Sequence, residues 1–581
     1  MTTFPQTRWI FPNRDTKLEA ELTQRLRISP ILAQILMNRR IADVDAAQKF
    51  LRPNLSGLED PWTLPDMQRA SDRIREAIEG QEKIVIYGDY DVDGVTATAL
   101  LLRCLRMAGA VVSCYLPERM EEGYGLNAGA LRQLKGEGVR LVVTVDCGIS
   151  AIEEAKIARE LGIDLIITDH HEPGPELPRA YAIVSPRLPG CAYPFKDLAG
   201  VGIAFKLAWA IGKSFSRGLK VSDEFKDFLT DAVGLAALGT VADVAPICSE
   251  NRILVAYGLS ALRESRSPGI TALLLVSGAE DRPLTTWDIS FRLGPRLNAA
   301  GRLGDARRGV ELLATEDTTV ARQIADLLDK ENTSRREIQE EIFQEAREKL
   351  EREVDAASAR AIVLADPKWH PGVIGIVASK LCEQYYRPVV LIGIDEDNIG
   401  HGSARSIPGF HIYEALYKFR DIFLSFGGHE RAAGLKIEKD AIPALAEGLN
   451  EFASSVLSEE DLVPRLHVDA EARLASLSRA VVSELEMLAP HGEGNPPPVL
   501  ASTEVTVAGR PRRMGRGGSH LSFHAQQDGT TVRAVAFGMG DMEDALSQKG
   551  RPLSIAYEPY LDTWQGGESV QLKIKDIKTE P

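Results

Sequence analysis

The feature that most constrains the fold of this chain is an alternation of short apolar runs with amphipathic stretches, which begins near residue 83. The apolar runs are KIVIYG, AVVSCYLP, LVVTV and DLIIT, and the segments between them have the spacing of amphipathic helices. Apolar strands that alternate with helices are typical of βαβ units around a parallel sheet. The sequence therefore predicts a multidomain α/β protein whose first large domain has a parallel sheet.

Four further segments complete the predicted architecture. The stretch DLLDKENTSRREIQEEIFQEAREKLER has no Gly or Pro and predicts a long connecting helix, whereas ARAIVLAD and RPVVLIGI predict strands of a second α/β domain. After residue 460, short alternating runs with turn signals predict a small all-β barrel of the OB type. The predicted domains are 1–50 (helical lead-in), 51–265 (first α/β domain), 266–355 (connecting region with the long helix), 356–458 (second α/β domain) and 459–581 (OB-like domain).

Composition excludes several classes of protein. Apolar residues make up 44% and charged residues 26% of the 581 residues, which is typical of soluble globular chains. No uninterrupted apolar run approaches the roughly 18 residues that a membrane span needs. The start MTTFPQTRWIF lacks the pattern of a secretory signal, and the six cysteines are scattered without a CxxC pair. We therefore expect a cytoplasmic protein that does not bind membranes.

The charge balance is acidic overall but reverses locally. The formal net charge is −15, which argues against a general nucleic-acid coat protein. Residues 501–520 nevertheless carry four arginines against one glutamate, with glycines between them. The sequence favours nucleic-acid contact by this segment. The alternative is a disordered basic turn that has only a non-specific electrostatic field.

Acidic and histidine side chains follow several of the predicted strands, which is where ligands bind in open α/β sheets. In GDYDVDG the aspartates alternate, so an extended backbone would place their carboxylates on one face. Ionised carboxylates at close range repel, and a divalent cation such as Mg²⁺ or Mn²⁺ removes that penalty. The side chains concerned are Asp89, Asp91, Asp93, Asp146, Asp169, His170, His171 and Asp243.

Each of these segments alone has a simpler interpretation. GDYDVDG also fits an Asx-rich turn or a calcium loop, although position 12 counted from Asp89 is Leu100 and not the glutamate of an EF-hand. The DHH segment also fits a core histidine whose hydrogen bonds are made by neighbouring groups. Four such segments at strand ends together favour a site for two divalent cations, as used in phosphoryl transfer and hydrolysis.

The motifs GDYDVDG, VDCG, DHH and GTVADVAP are similar, in order and spacing, to those of the DHH phosphoesterase superfamily. The segments WHPGVIGIVASK, GSARS and FGGHERAAG resemble its companion DHHA1 domain. LPERMEEGYG, GPRLNAAGR and the β-rich C-terminal segment resemble the RecJ family, bacterial exonucleases specific for single-stranded DNA. The resemblance implies DHH, DHHA1 and OB-like domains and a metal-dependent 5′→3′ hydrolysis of single strands to 5′-mononucleotides, in DNA repair and recombination.

The resemblance also implies a role for each motif residue. His171 is expected beside the scissile phosphate, where it would act with the carboxylates of Asp146, Asp91 and Asp93. Asp169 is expected to orient His170 or the turn. The implied ligands of two Mn²⁺ or Mg²⁺ ions are Asp89 (a ligand or a neighbour of one), Asp91, Asp93, Asp146, His170 and Asp243.

A cationic pocket for the 5′-terminal phosphate is a further implication of the resemblance. Arginine suits this pocket because its planar guanidinium binds phosphate with two hydrogen bonds. Each arginine alone also fits a surface ion pair. His429 also fits the cap of a Gly-rich turn, and Tyr124 also fits a packed loop residue. The implied substrate-binding residues are Arg119, Tyr124, Arg296, Arg302, Ser403, Arg405 and His429.

Two alternative functions stay open from the sequence. The first is a small-substrate phosphoesterase of the same superfamily, such as a nanoRNase, a cyclic-dinucleotide phosphodiesterase or a pyrophosphatase. The second is a non-catalytic scaffold that binds single strands. For the leading interpretation, the resemblance implies single-stranded DNA, a single-strand-binding protein and a repair helicase as partners, and we expect a monomer.

Overall fold

The computed structural model describes residues 7–118, 125–216, 221–353, 359–548, 550–562 and 567–579. The chain divides into two units by the contacts between its residues. The larger unit contains residues 10–301, 305–326 and 467–581, and the smaller unit contains residues 1–9, 302–304 and 327–466. Within the described ranges, no helix combines the length and apolarity that crossing a membrane requires.

Helices with well-formed caps dominate the first eighty residues. Asp15 accepts hydrogen bonds from the backbone N–H groups of Lys17 and Leu18, and Ser29 caps a helix that starts with Pro30. The elements of this segment are β1 (Arg8–Ile10), α1 (Thr16–Leu26), α2 (Pro30–Asn38), α3 (Val44–Leu51) and α4 (Met67–Glu79).

A five-stranded parallel sheet organises the next part of the larger unit. Its strands are β2 (Lys83–Gly88), β3 (Val111–Tyr115), β4 (Leu141–Val145), β5 (Asp164–Thr168) and β6 (Ala182–Val184). Their order is β3-β2-β4-β5-β6 and every neighbouring pair is parallel, which confirms the predicted sheet. Gly88 pairs with Val145, and Val145 pairs with Thr168. The residues that follow β2, β4 and β5 therefore emerge side by side at one edge.

Helices flank this sheet and continue beyond it. They are α5 (Val92–Met107), α6 (Ala128–Gly136), α7 (Ile152–Glu160), α8 (Gly200–Phe215), α9 (Asp223–Ala242), α10 (Ser249–Glu264), α11 (Pro268–Ser277), α12 (Thr286–Asp288), α13 (Gly294–Leu303), α14 (Arg307–Ala314) and α15 (Thr318–Glu353). The 36 residues of α15 confirm the long helix predicted from the stretch without Gly or Pro.

The smaller unit contains a second, mixed sheet. Its strands are β7 (Ile362–Asp366), β8 (Val389–Ile394), β9 (Ile399–Arg405), β10 (Phe423–Gly428) and β11 (Ala432–Glu438), and its helices are α16 (Pro371–Tyr385), α17 (Ile412–Tyr417) and α18 (Ile442–Val456). The order is β10-β11-β9-β8-β7, with β7 and β8 parallel and the other pairs antiparallel. This architecture confirms the predicted second α/β domain.

The C-terminal part of the larger unit is a closed β-barrel. Its elements are β13 (Ala470–Glu471), α19 (Arg479–Glu486), β14 (Leu500–Met514), β15 (His520–Gln527), β16 (Thr530–Ala536), α20 (Glu543–Leu546), β17 (Leu553–Asp562) and β18 (Ser569–Lys578). The preceding strand, β12 (Arg465–His467), pairs with β1 in a separate two-stranded sheet. The barrel closes because β14 pairs with both β15 and β17, and its interior holds Phe523, Tyr557 and Leu572. This closure confirms the predicted OB-like domain.

One buried arginine joins the first α/β region to the segment that precedes the barrel. Arg252 on α10 is only 2% exposed, and its guanidinium donates five hydrogen bonds of 2.8–3.2 Å to backbone carbonyls. The carbonyls of Leu488 and Pro490 also accept from the Asn495 side chain, so Arg252 shares in satisfying these two buried acceptors. The acceptors are Phe50, Met487, Leu488, Ala489 and Pro490.

We predict that Arg252→Met lowers the free energy of unfolding of the larger unit by about 3 kcal/mol, because several buried carbonyls lose charge-assisted hydrogen bonds. Calorimetry of the full chain should show a lower transition temperature. Arg322→Met is the control, because it breaks only an exposed ion pair with Asp326 and should leave that temperature unchanged. An unchanged transition temperature in Arg252→Met would contradict the stabilising role of the Arg252 hydrogen bonds.

Candidate metal centre

The first motif runs from the end of β2 into the start of α5. Asp91 is the N-cap of α5, and its carboxylate accepts a 3.1 Å hydrogen bond from the N–H of Gly94. The expectation of an extended GDYDVDG segment was therefore wrong beyond Asp91, because the cap starts a helix there. The carboxylates still converge, since Asp89 directly follows β2 and Asp93 lies in the buried first turn of α5.

The N-terminus of α8 fixes Asp93. The N–H groups of Gly200 and Val201 donate to its two carboxylate oxygens at 2.7 and 2.8 Å. Gly200 also lies so close to Asp146 that a Cβ at this glycine would be 2.7 Å from the Asp146 Cβ. Sequence reasoning missed this contribution, although AGVG at the start of an apolar helix was an available signal.

Asp146 and His170 lie at the middle of the cluster. Asp146 follows β4 with a left-handed φ of 61° and is 2% exposed. His170 Nε2 is 3.1 Å from Asp146 Oδ1, 3.8 Å from Asp243 Oδ2 and 3.9 Å from Asp93 Oδ2. The four motifs therefore bring their side chains together, as the sequence predicted. The expectation that the fourth segment also follows a strand was wrong, because Asp243 is the C-cap of α9.

Asp169 holds His171. Its Oδ1 is 2.7 Å from His171 Nδ1 and accepts the backbone N–H of His171, while its Oδ2 accepts the N–H of Ile149. Asp169 therefore orients the turn, which is one of the two roles expected for it. The imidazole ring that it contacts is that of His171 and not that of His170. The two histidine rings meet edge to face at 4.5 Å.

Among the residues that the structure describes, three overlapping sets of side chains offer ligand atoms within 4.8 Å of one another. Asp146 belongs to two of these sets and His170 to two. Hard carboxylate oxygens with one or two imidazole nitrogens are the donors that Mg²⁺ and Mn²⁺ prefer. The sets are Asp89 with Asp91 and Asp146, Asp93 with His170 and Asp243, and Asp146 with His170 and His171.

Burial and mutual repulsion make these carboxylates costly to ionise. Burial raises the pKa of Asp93, and the charges of Asp243 and Asp91 raise it further. Burial followed by the charges of Asp93, Asp91 and Asp89 raises the pKa of Asp146. Burial, with the charge of Asp91, raises the pKa of Asp243 to about 7. A bound cation would remove this penalty, so the donor set fits a divalent metal.

The two histidines are shifted in opposite directions. Burial, with the neighbouring charge of His171, lowers the pKa of His170 to about 4, so its ring is neutral and suited to bind a metal. Burial also opposes the charge on His171, but the hydrogen bond and charge of Asp169 outweigh it and raise the pKa of His171 to about 9. Although burial disfavours its charge too, the bond to His171 lowers the pKa of Asp169.

A second polar cluster surrounds the N-terminus of α16 in the smaller unit. Arg302 Nη1 donates to the carbonyl of Gly372 at 3.0 Å. Arg405 Nη1 donates to Ser403 Oγ at 3.1 Å, and a Cβ at Gly375 would lie 2.9 Å from that oxygen and 3.1 Å from Arg405 Nη2. Three of the predicted substrate-binding residues therefore contact the first turns of one helix.

The other predicted substrate-binding residues lie elsewhere. Arg296 is in the larger unit and donates to the carbonyls of Arg292 and Val276, at 2.6 and 3.1 Å. His429 is exposed after β10, and its backbone N–H donates to Ala432. Arg119 and Tyr124 lie outside the described residues.

Family comparisons match three parts of the chain. Residues 83–240 match the DHH family N-terminal domain, residues 358–455 the DHHA1 domain and residues 468–576 the RecJ OB domain. A Bacillus subtilis relative, the single-stranded-DNA-specific exonuclease RecJ, is 41% identical over 98% of this chain and 70% of its own length.

Solved structures agree with these matches. RecJ from Thermus thermophilus in complex with Mn²⁺ has a TM-score of 0.84 and 30% identity, over 99% of this chain and 80% of that one. The same protein in complex with Mg²⁺ has a TM-score of 0.79 and 29% identity, over 99% and 79%. Together with the sequence match over nearly the whole chain, these structures show that the chain belongs to the RecJ family of single-stranded-DNA-specific exonucleases.

Proposed function

We propose that this chain is a divalent-metal-dependent exonuclease that degrades single-stranded DNA 5′→3′ to 5′-mononucleotides, in DNA repair and recombination. The observation that carries the proposal is the set of overlapping ligand groups that share Asp146 and His170. Mn²⁺ and Mg²⁺ both suit these donors, and both occur in the Thermus relative's structures.

The chain's own residues would hold the ions and prepare the reaction. When bound, two such ions lower the pKa of water and neutralise the charge that develops on the phosphodiester. The N–H groups at the start of α8 keep the Asp93 carboxylate in a fixed orientation, which is needed for a defined coordination. We propose as ligands Asp89, Asp91, Asp93, Asp146, His170 and Asp243.

His171 would stabilise the charge on the phosphate. Its pKa of about 9 keeps the imidazole protonated at neutral pH, because Asp169 accepts from Nδ1. Donation to a phosphate oxygen would therefore come from Nε2. A fixed, charged donor beside the scissile phosphate stabilises the transition state more than the ground state.

We predict that the chain degrades a single-stranded oligonucleotide with Mn²⁺ or Mg²⁺ and that a chelator abolishes this activity. Asp146→Asn, which keeps the shape of a side chain shared by two ligand sets, should reduce turnover below detection with no loss of thermal stability. Stability is retained because the amide avoids the cost of a buried charge in the metal-free chain. Turnover in the chelated protein, or in Asp146→Asn at saturating metal, would refute the proposed site.

We propose that the cluster at the N-terminus of α16 binds the 5′-terminal phosphate of the strand. Helix N-termini attract anions through their unpaired N–H groups, and α16 has 15 residues. Arg302, Ser403 and Arg405 surround this end and supply the hydrogen-bond donors that a phosphate requires. Such a pocket would select strand ends over internal sites.

Arg405→Ala should reduce the preference for 5′-phosphorylated over 5′-hydroxyl strands by about 10-fold or more, because a charge-assisted contact with phosphate is lost. The ratio of kcat/KM for the two substrates measures this preference. Arg420→Ala, at an exposed arginine of the same unit, is the matched control and should not change the ratio. An unchanged ratio in Arg405→Ala would remove this residue from the pocket.

We propose that the barrel binds the body of the single strand. Four exposed arginines lie on the β14–β15 hairpin or in its turn, and Phe537 beside it is 53% exposed and meets the His520 ring at 5.2 Å. OB folds bind single strands by combining a positive groove with stacking side chains. The arginines are Arg510, Arg512, Arg513 and Arg516.

In an Asp146→Asn background that prevents cleavage, Phe537→Ala should weaken binding of a 30-nucleotide strand by about 10-fold through lost stacking. Fluorescence anisotropy measures this affinity. Phe215→Ala, which removes another exposed aromatic ring at the end of α8, should leave it unchanged. Equal affinities of the Asp146→Asn protein and of its Phe537→Ala and Phe215→Ala variants would argue against strand binding by the barrel surface around Phe537.

A small-substrate phosphoesterase is not favoured, because the barrel would serve no purpose with a dinucleotide. It would become the better explanation if the chain hydrolysed a dinucleotide readily and a long strand poorly. A scaffold without activity would show strand binding but no metal-dependent cleavage. From the family resemblance we also propose a monomer that works in the cytoplasm with a single-strand-binding protein and a repair helicase.

A further inference from the structure

Two loops position three of the six candidate metal ligands. The loop 197–201 enters α8, where Gly200 and Val201 bind the Asp93 carboxylate and the backbone of Leu198 hydrogen-bonds to His170. The loop 243–248 starts with Asp243 itself, which is the C-cap of α9. The relative placement of these two loops therefore sets the distances among ligands that come from separate parts of the sequence.

The buried side chain of Asn251 joins these loops. Its Nδ2 donates to the carbonyl of Asp197 at 2.6 Å and to the carbonyl of Pro246 at 3.1 Å. Asn251 lies on α10 and is 0% exposed. Asp197 precedes Gly200 by three residues, and Pro246 follows Asp243 by three. One amide group thus connects the segment that binds Asp93 and His170 to the segment that carries Asp243.

The loop after Asp243 depends on such support. Val244 has a φ of 60°, a left-handed conformation that costs a β-branched residue about 1–3 kcal/mol. Val244 is 64% exposed, so core packing does not hold it there. Strained residues persist only where surrounding contacts determine the backbone. The hydrogen bond from Asn251 to Pro246 is one of these contacts.

We propose that Asn251 is a positioning residue of the metal centre, which holds the Asp243 loop against the N-terminal loop of α8. The inference rests on the proposed function, because it requires that these carboxylates bind divalent ions. Residues that orient ligands without touching the metal change its affinity by about 10–100-fold when they are replaced. Asn251 gives no such signal in the sequence, since it belongs to none of the strand-end motifs.

The test replaces Asn251 with leucine, which has a similar shape but no donor, in the full-length protein. Mn²⁺ affinity is measured by electron paramagnetic resonance, and the Mn²⁺ concentration for half-maximal cleavage is measured separately. Asn251→Leu should bind Mn²⁺ about 10-fold more weakly. It should need correspondingly more Mn²⁺ for cleavage and regain most of its kcat at saturating Mn²⁺.

Asn450→Leu is the matched control. The oxygen of the Asn450 amide also takes part in two hydrogen bonds with the backbone, accepted from the N–H groups of Arg360 and Ala361. Asn450 belongs to the smaller unit, whereas both loops belong to the larger unit. It should lower the unfolding temperature without changing Mn²⁺ affinity. If Asn251→Leu does not fold, Asn251→Ser, which shortens the side chain, should shift Mn²⁺ affinity in the same direction.

The outcomes separate this inference from the proposed function. A wild-type chain that binds no Mn²⁺ would refute both. Mn²⁺ binding by the wild type with an unchanged affinity in the folded Asn251 variant would overturn only the positioning role. An equal loss of affinity in Asn450→Leu would also overturn it, because the effect would then reflect general destabilisation.

Discussion

The structure of the larger unit depends on the burial of several carboxylates within a few ångströms of one another. Asp93 and Asp146 are 1% and 2% exposed, and burial together with neighbouring charges raises the pKa of both. Such an arrangement costs free energy in the folded chain unless protons or cations neutralise it. The fold thus maintains a site that is unfavourable alone and favourable with divalent ions, as expected for a metal-dependent hydrolase.

Backbone hydrogen-bond donors and in-register strands hold these carboxylates together in spite of their repulsion. The in-register strands β2, β4 and β5 place their following residues at one edge, and the N-termini of α5 and α8 donate hydrogen bonds to Asp91 and Asp93. Asp169 holds the ring of His171 and raises its pKa, which favours a positive charge beside the carboxylates. The same elements that form the sheet therefore orient the chemistry.

Much of this could be predicted from the sequence, because strand periodicity and strand-end motifs are local signals. The parallel sheet, the long helix, the barrel and the convergence of the acidic motifs follow from such patterns. The contacts that depend on tertiary structure could not be predicted. Alternation in GDYDVDG suggested an extended segment, whereas capping by Asp91 starts a helix. The contacts of Arg252 and Asn251 join residues that are distant in sequence, and nothing local identifies them.

Crystals of the full-length protein soaked in Mn²⁺ and measured at the manganese absorption edge would test the central claim most directly. The account predicts two anomalous peaks, one beside Asp93, His170 and Asp243 and the other beside Asp89 and Asp91, with Asp146 in contact with both. Absence of peaks among these side chains, or manganese bound only elsewhere, would contradict it.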